Sequence, residues 1–141
     1  KNRNFSFKSN NMNSLSETPF EFNPRLDTEY LESLFGDDLG SIKEIFNSFL
    51  IDTKEGYQDV QADYNEGDLK LLRQKIHKIK PTFGFVGLTS TTHNCEKLIA
   101  ACDAAADITA VQAACSDLFK EIEDSFLLIE NEVNRLDEFG A

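Results

Sequence analysis

The fold is decided by residues 68–87, which read DLKLLRQKIHKIKPTFGFVG. The large apolar residues of this stretch recur at intervals of four, three, four and three, and they are Leu72, Ile76, Ile79, Phe83 and Val86. That spacing is typical of a helix that buries one stripe in a helical bundle. At about 100° per residue, the centre of the stripe lies about 140° around the helix from His77. The sequence therefore predicts a packed helix that exposes its histidine to water.

Basic side chains and a glycine surround His77 on the predicted outer face. Arg73 and Lys80 fall within about 60° of the histidine on one side. Pro81 falls about 40° away on the other side, and Gly84 lies two turns further along, almost in line with His77. The histidine is therefore expected to sit between cations, next to a position without a side chain.

The charge pattern around this face suits a phosphoryl group. No Asp or Glu occurs from residue 69 to residue 95, although the chain contains 25 of them. A neutral imidazole is a nucleophile near pH 7, and an ammonium group one turn away can neutralise the oxygens that the imidazole acquires. The missing side chain at Gly84 would let a partner's backbone come close.

This pattern resembles the signature of histidine-containing phosphotransfer (HPt) domains, which is a histidine, a lysine three residues later, and glycines seven and ten residues later in a helix. The matching residues are His77, Lys80, Gly84 and Gly87. The resemblance covers about residues 45–102. Pro81 departs from it, because the family more often has a small residue there. Proline removes an N–H and frees the carbonyl one turn earlier, so we expect a local kink.

The resemblance implies a phosphoryl carrier in a multistep two-component phosphorelay. His77 would accept a phosphoryl group, through Nε2, from an aspartyl phosphate on one receiver domain and pass it to an aspartate on another. Lys80 would stabilise the phosphoryl oxygens, and Gly84 would permit close docking. The receiver, in a response regulator or a hybrid histidine kinase, would supply the Mg²⁺, so no cofactor of this chain itself is expected. Receiver contacts are expected from four bordering residues, Arg73, Lys78, Pro81 and Phe85.

An alternative from another class is a module that docks a receiver or another helical partner without carrying phosphate. In that case His77 would be incidental to recognition. A purely structural bundle would leave the absence of acidic residues from this stretch unexplained. The chain also lacks a glycine-rich phosphate loop, so we predict no nucleotide pocket and no autokinase activity.

Amphipathic spacing predicts the other helices. A short helix is expected at residues 28–35 with Asp27 as its N-cap. A long helix should open at Asp37 and Asp38 and end at Gly67, and Asp68 is expected to cap the histidine helix. A further helix is expected at about residues 88–103, and the last should start near Asp107. No segment alternates as a strand does. The predicted fold is all-α, an antiparallel up-and-down four-helix bundle with a short extra N-terminal helix.

Two regions are expected along the chain. Residues 1–24 are rich in Asn and Ser and are predicted to form a linker or mobile arm, while residues 25–141 form the helical bundle domain. Four phenylalanines alternate in pairs within the arm, namely Phe5, Phe7, Phe20 and Phe22. They would either cover apolar surface of the bundle or belong to a tether for an upstream domain. The pattern does not separate these two interpretations.

Composition excludes several classes of function. A net charge of −11 disfavours nucleic acid and anionic membrane surfaces as partners. No apolar run approaches the length of about 20 residues that spans a bilayer, and no signal peptide is visible, so we expect no membrane insertion and a cytoplasmic location. A four-helix bundle closes its own core, and we therefore expect a monomer.

The remaining histidine and the cysteines are predicted to be structural. Cys95 and Cys102 share a helical stripe and, like Cys115, are expected to be buried, reduced thiols. His93 lies off that stripe and is expected at the surface or half-buried. His93 and Cys95 point about 200° apart on a helix, so they cannot chelate one ion, and no metal site is predicted. The acidic residues of the two longest helices are expected on solvated outer faces.

Overall fold

Five α-helices and no strand are formed by residues 19–141, the part of the chain that the computed structural model describes. The helices are α1 (Thr28–Phe35), α2 (Leu39–Asn65), α3 (Leu69–Phe85), α4 (Thr89–Ala104) and α5 (Gln112–Phe139). The prediction of an all-helical fold is confirmed for these residues. None of these helices combines the length and the apolar character needed to cross a membrane.

Aspartates begin the first three helices, as the sequence predicts. Asp27, Asp38 and Asp68 each accept a hydrogen bond from the backbone N–H three residues later, at 3.1, 3.1 and 3.0 Å. Such a cap pairs one of the N–H groups left open at a helix start and contributes about 1 kcal/mol. The end of α2 is less well predicted, because the helix ends at Asn65 rather than at Gly67.

A 3-10 turn that the spacing does not predict precedes α5. The last helix is expected to start near Asp107, but Ile108–Val111 form a 3-10 turn there and α5 begins at Gln112. Asp107 caps this turn, because its side chain accepts a hydrogen bond from the Thr109 N–H at 3.0 Å. Over a single turn, apolar spacing does not distinguish a 3-10 helix from an α-helix. Their backbone hydrogen bonds join residues three and four apart, respectively.

One hydrophobic core joins the five helices. α3 packs against α2 and α4, α5 packs against α2 and α4, and α1 packs against α2. The whole predicted stripe of α3 is buried, namely Leu72, Ile76, Ile79, Phe83 and Val86. α2, α4 and α5 also bury one apolar face each, and Tyr64 and Val133 at the edges of these faces are half-buried.

Two polar contacts, at different positions along the helices, hold α2 against α3. The Thr53 hydroxyl donates to the Thr82 hydroxyl at 2.9 Å, and the Lys75 ammonium pairs with Asp63 at 2.9 Å. The Asp63 carboxylate raises the pKa of Lys75, chiefly through this hydrogen bond. The contact from the middle of α2 reaches the end of α3, and the contact from the end of α2 reaches the first half of α3.

Two further contacts join α2 to α5. Near the start of α2, Lys43 pairs with Asp137 at 2.8 Å. Two-thirds of the way along α2, the Tyr57 hydroxyl donates to Glu123 at 2.6 Å. Burial and the Glu123 carboxylate both raise the pKa of Tyr57, so the hydroxyl keeps its proton and stays a donor.

The segment before α1 packs onto the core. Phe22 is buried, with its ring edge-on to Phe46 at a centroid distance of 6.1 Å, and Phe20 meets Phe139 in the same way at 5.3 Å. These two phenylalanines therefore cover apolar surface, which is one of the two roles expected for the predicted arm. The other two members of the alternating set lie outside the described residues, namely Phe5 and Phe7.

A buried carboxylate on α5 holds this segment in place. Glu132 is 0% exposed and accepts hydrogen bonds from the Asn23 N–H at 3.0 Å and from Arg135. Arg135 also donates to the Glu21 carbonyl at 2.7 Å and lies 4.7 Å from the centroid of the Phe20 ring. The expectation that the acidic residues of α5 face solvent is therefore wrong for Glu132. A carboxylate is tolerated in a core when it is paired and hydrogen-bonded, as it is here.

Candidate functional site

His77 lies near the middle of α3 and is exposed, as the apolar stripe predicts. Arg73, Lys80 and Pro81 are its neighbours one helical turn away. α3 runs without a break through Pro81, and the local kink expected there stays a prediction. Among residues 19–141 the imidazole has no hydrogen bond or ion pair, so its ring nitrogens are open to a ligand.

Lys80 is less exposed than His77, because its side chain leans toward α4. Its Nζ lies 3.6 Å from Glu96 Oε2, and the side chain is 25% exposed. That distance is longer than a direct hydrogen bond, which spans about 2.7–3.2 Å. An ion pair of this kind contributes at most about 1 kcal/mol. The ammonium group is therefore held loosely on the α4 side of the outer face.

Arg73 is held more tightly, one turn on the other side of His77. Its Nε donates to Asp103 Oδ1 at 2.5 Å and its second terminal nitrogen donates to Oδ2 at 3.3 Å. This two-point contact raises the pKa of Arg73, through the hydrogen bond and the charge of Asp103. The guanidinium group is thus bound to the Asp103 carboxylate on α4. The contact of Arg73 with a receiver stays a prediction.

Glu96 and Asp103 are the residues of this site that the sequence reasoning missed. Residues 69–95 contain no acid, but α4 brings two carboxylates to the same face from just beyond that stretch. A signal was present in the spacing. Arg73 and Lys80 are seven residues apart, and so are Asp103 and Glu96. Two neighbouring helices with matched seven-residue intervals pair such charges when their register is right.

Gly84 leaves open surface two turns from His77. A Cβ at this position would meet only Thr92 Oγ1, at an ordinary contact distance of 3.7 Å. Gly84 is also half-buried rather than buried, and it lies inside a helix, where glycine costs about 1 kcal/mol relative to alanine. The packing of residues 19–141 therefore does not explain why this position has no side chain.

Gly87, the second glycine of the signature, has a structural reason. It adopts a φ of +82°, a conformation that L side chains rarely take. Its carbonyl accepts a hydrogen bond from the Asp27 N–H at 2.8 Å, and a Cβ would lie 3.0 Å from that nitrogen. Gly87 thus joins the turn after α3 to the start of α1, and it positions the site helix rather than the site chemistry.

Three further predicted site residues border His77 on the surface. Lys78 and Pro81 are exposed, and Phe85 is 55% exposed at the last position of α3. Aromatic side chains are enriched at protein-binding surfaces. The three side chains surround the outer face, and their predicted contacts with a receiver stay predictions.

The cysteines lie behind this surface and not on it. Cys95, Cys102 and Cys115 are buried and unpaired, as expected. Burial raises the pKa of Cys95 to about 12 and that of Cys115 to about 11, and it also raises the pKa of Cys102. These groups therefore stay protonated near pH 7 and are poor nucleophiles.

His93 is exposed on α4, within the range that the sequence predicts. Its Nδ1 lies 3.8 Å from Glu96 Oε1, so Glu96 has His93 on one side and Lys80 on the other. Among residues 19–141, no group of three or more His, Cys, Asp or Glu side chains is placed to hold a metal ion.

No family model, no curated protein and no solved structure matches this chain. What the site does is therefore inferred from the chemistry of its own residues.

Proposed function

We propose that this chain is a phosphoryl carrier in a phosphorelay and that His77 is the group that carries the phosphoryl. One observation supports this most directly. Within residues 19–141, the exposed His77 imidazole has no internal partner and lies two turns from a helical glycine whose open surface the packing of these residues does not use. An exposed nucleophile with space beside it is what a transfer reaction between two proteins requires.

We infer the finer architecture from the order of the contacts between helices. Arg73, early in α3, pairs with Asp103 at the end of α4, whereas Lys80, later in α3, pairs with Glu96 in the middle of α4, so the two helices run in opposite directions. The contacts of α2 with α3 and with α5 run in opposite directions as well. These pairs support an antiparallel up-and-down four-helix bundle with α1 as a short additional helix.

The proposed reaction is an in-line displacement at phosphorus. His77 Nε2, with its lone pair free and the ring proton on Nδ1, attacks the phosphorus of an aspartyl phosphate. The new N–P bond forms as the P–O bond breaks, and the electron pair of that bond leaves with the partner's aspartate carboxylate. The reverse displacement passes the group to another aspartate. The receiver would hold the Mg²⁺ that neutralises charge during each transfer.

Two residues of this chain would assist the proposed step. The Lys80 ammonium, on a flexible stem, lies one turn from His77 and can reach the transferred oxygens. Gly84 would allow the partner's backbone to approach the ring. The proposed nucleophile His77, the cation Lys80 and the open position at Gly84 therefore all lie on one face of α3.

The alternative is a docking module that carries no phosphate. Two observations favour it, because both site cations already face carboxylates on α4, and Phe85 is exposed at the edge of the face. In that case the face would bind a partner and His77 would have no chemical role.

Transfer of label to two histidine variants separates these functions. A receiver domain charged with radiolabelled acetyl phosphate is mixed with the wild-type chain, with His77→Gln and with His93→Gln. We expect the first variant to accept no acid-labile label, because an amide is not a nucleophile, while its free energy of unfolding changes by no more than about 0.5 kcal/mol. His93→Gln removes the other exposed histidine and should accept label as wild type does. Acid-labile label on His77→Gln would overturn the carrier proposal and leave the docking module.

A further inference from the structure

We propose that Glu96 restrains the site, because it holds the Lys80 ammonium on the α4 side of His77 and thereby slows phosphoryl acceptance. This inference rests on the proposed function, since it assigns a control residue to the same reaction. Glu96 does not contact the phosphoryl group in this proposal. It is a positioning residue that acts through Lys80.

In the part of the chain that the structure describes, the carboxylate that pairs with Lys80 is on α4. Among residues 19–141, the ion pair of Lys80 Nζ is with Glu96 Oε2, at 3.6 Å, and the Glu96 side chain is 54% exposed. The contact spans two helices and lacks the short distance of a hydrogen bond. A single ammonium group therefore has two successive anionic partners, the carboxylate before transfer and the phosphoryl group after it.

The two partners compete for the same charge. A phosphoryl group on imidazole carries up to two negative charges and three acceptor oxygens, whereas Glu96 carries one charge. The ammonium is therefore expected to exchange Glu96 for the phosphoryl oxygens as the N–P bond forms. Glu96 opposes this exchange by attracting Lys80 away from His77.

Arg73 is not expected to take over the part of Lys80. Its guanidinium makes a two-point contact with Asp103, with a shortest distance of 2.5 Å, and this contact is more constrained than the loose pair of Lys80. Of the two cations one turn from His77, Lys80 is thus the one that can be released at small cost. The difference in geometry assigns control of the site to Glu96 rather than to Asp103.

A small phosphoryl donor tests the inference without a receiver. Potassium phosphoramidate transfers its phosphoryl group to histidine: the imidazole nitrogen forms a bond to phosphorus, the P–N bond of the donor breaks, and ammonia leaves and takes up the proton released by the ring. Acceptance at His77 is measured by intact mass, after subtracting the signal of His77→Gln, which reports labelling of His93. Glu96→Gln should accept phosphoryl about two- to fivefold faster than wild type at low salt, the range that an exposed ion pair provides.

Two controls separate a charge effect through Lys80 from a general one. Glu130 on α5 pairs with Lys54 on α2. Glu130→Gln therefore changes the net charge by the same amount as Glu96→Gln, and it should leave the rate of phosphoryl acceptance unchanged. In a Lys80→Ala background, Glu96→Gln should have almost no effect, because the group through which it acts is missing. The acceleration should also disappear at about 1 M salt, where the screening length falls to about 3 Å.

Each outcome decides the matter. If Glu96→Gln matches wild type, slows acceptance, or accelerates it equally without Lys80, the restraint is overturned while the carrier proposal stands. If wild type gains no more label than His77→Gln with phosphoramidate and also with a charged receiver, the carrier proposal and the restraint by Glu96 are both overturned. A faster Glu96→Gln whose advantage needs Lys80 and disappears with salt supports the restraint.

Discussion

A glycine lies on each side of α3, and the two glycines differ in how closely their neighbours pack against them. On the buried side, Gly56 of α2 lies against Ile79, and a Cβ added there would approach Ile79 Cγ2 to 2.5 Å. On the outer side, a Cβ added at Gly84 would find its nearest neighbour at 3.7 Å. The first glycine lets two helices pack closely. The second has no such reason within residues 19–141, so the difference separates the face that forms the fold from the face that we propose for a partner.

The largest effect is expected on the buried side, from Phe83→Ala. Phe83 is 0% exposed and its ring lies edge-on to Phe49 at a centroid distance of 5.6 Å. Its truncation leaves a cavity in the core and should lower the free energy of unfolding by about 3–5 kcal/mol. Urea denaturation followed by circular dichroism measures the change. A loss below about 1 kcal/mol would mean that this face of α3 is not the one that supports the fold.

The next effect is expected on the outer side, from Lys80→Ala. In the proposed reaction this variant would lose a charge-assisted contact to the phosphoryl oxygens, typically about 1.5–3 kcal/mol, but would keep the proposed nucleophile, His77. Transfer from a charged receiver should therefore slow by about ten- to a hundredfold without being abolished. Stability should hardly change, since the ion pair with Glu96 is loose and partly exposed. An unfolding midpoint that drops as far as that of Phe83→Ala would instead place Lys80 with the structural residues.

Gly56→Ala tests the close contact between α2 and α3. The added methyl group collides with Ile79 Cγ2, which is attached directly to Cβ and moves only if the whole side chain changes rotamer. We expect the free energy of unfolding to fall by about 1–2 kcal/mol, after the gain in helix propensity is offset. Thermal unfolding is the measurement. A gain in stability would show that the helices can separate there without penalty.

Gly84→Ala is the matched substitution on the outer side and has the smallest expected effect, with the opposite sign. The methyl group has room, so the free energy of unfolding should rise by about 0.5–1 kcal/mol through helix propensity alone. Gly84→Gln, which adds bulk, should slow transfer from a receiver but leave labelling by phosphoramidate unchanged. If the longer side chain slows both donors equally, Gly84 acts on His77 itself and not on the approach of a partner.

Much of the fold can be predicted from the sequence, because its signals are local. An aspartate at a helix start needs only the N–H groups of the following turn, and Asp27, Asp38 and Asp68 all cap helices as predicted. The buried stripe of α3 follows from spacing, and the exposure of His77 follows from the stripe. Each of these features depends on residues of one helix, within about four turns of one another.

The features that escaped prediction depend on contacts distant in sequence. Glu96 meets Lys80 only because α4 packs beside α3, and Glu132 is buried only because the segment before α1 returns to cover it. Counting acids along residues 69–95 could not detect a carboxylate delivered from a neighbouring helix. The charges around the candidate site are thus determined by how the helices pack, whereas the proposed nucleophile, His77, can be identified from the sequence.

The ring contact between Phe20 and Phe139 has a consequence for protein engineering. With the two ring centroids 5.3 Å apart, residue 20 and the end of α5 lie at neighbouring points, and the hydrogen bond from Arg135 to the Glu21 carbonyl fixes that junction. A short linker could therefore join the two ends, and new ends could be opened in the turn between α2 and α3, giving a circularly permuted chain with the same helix contacts. For the same reason the unit could be inserted into a surface loop of a host protein without pulling the loop apart.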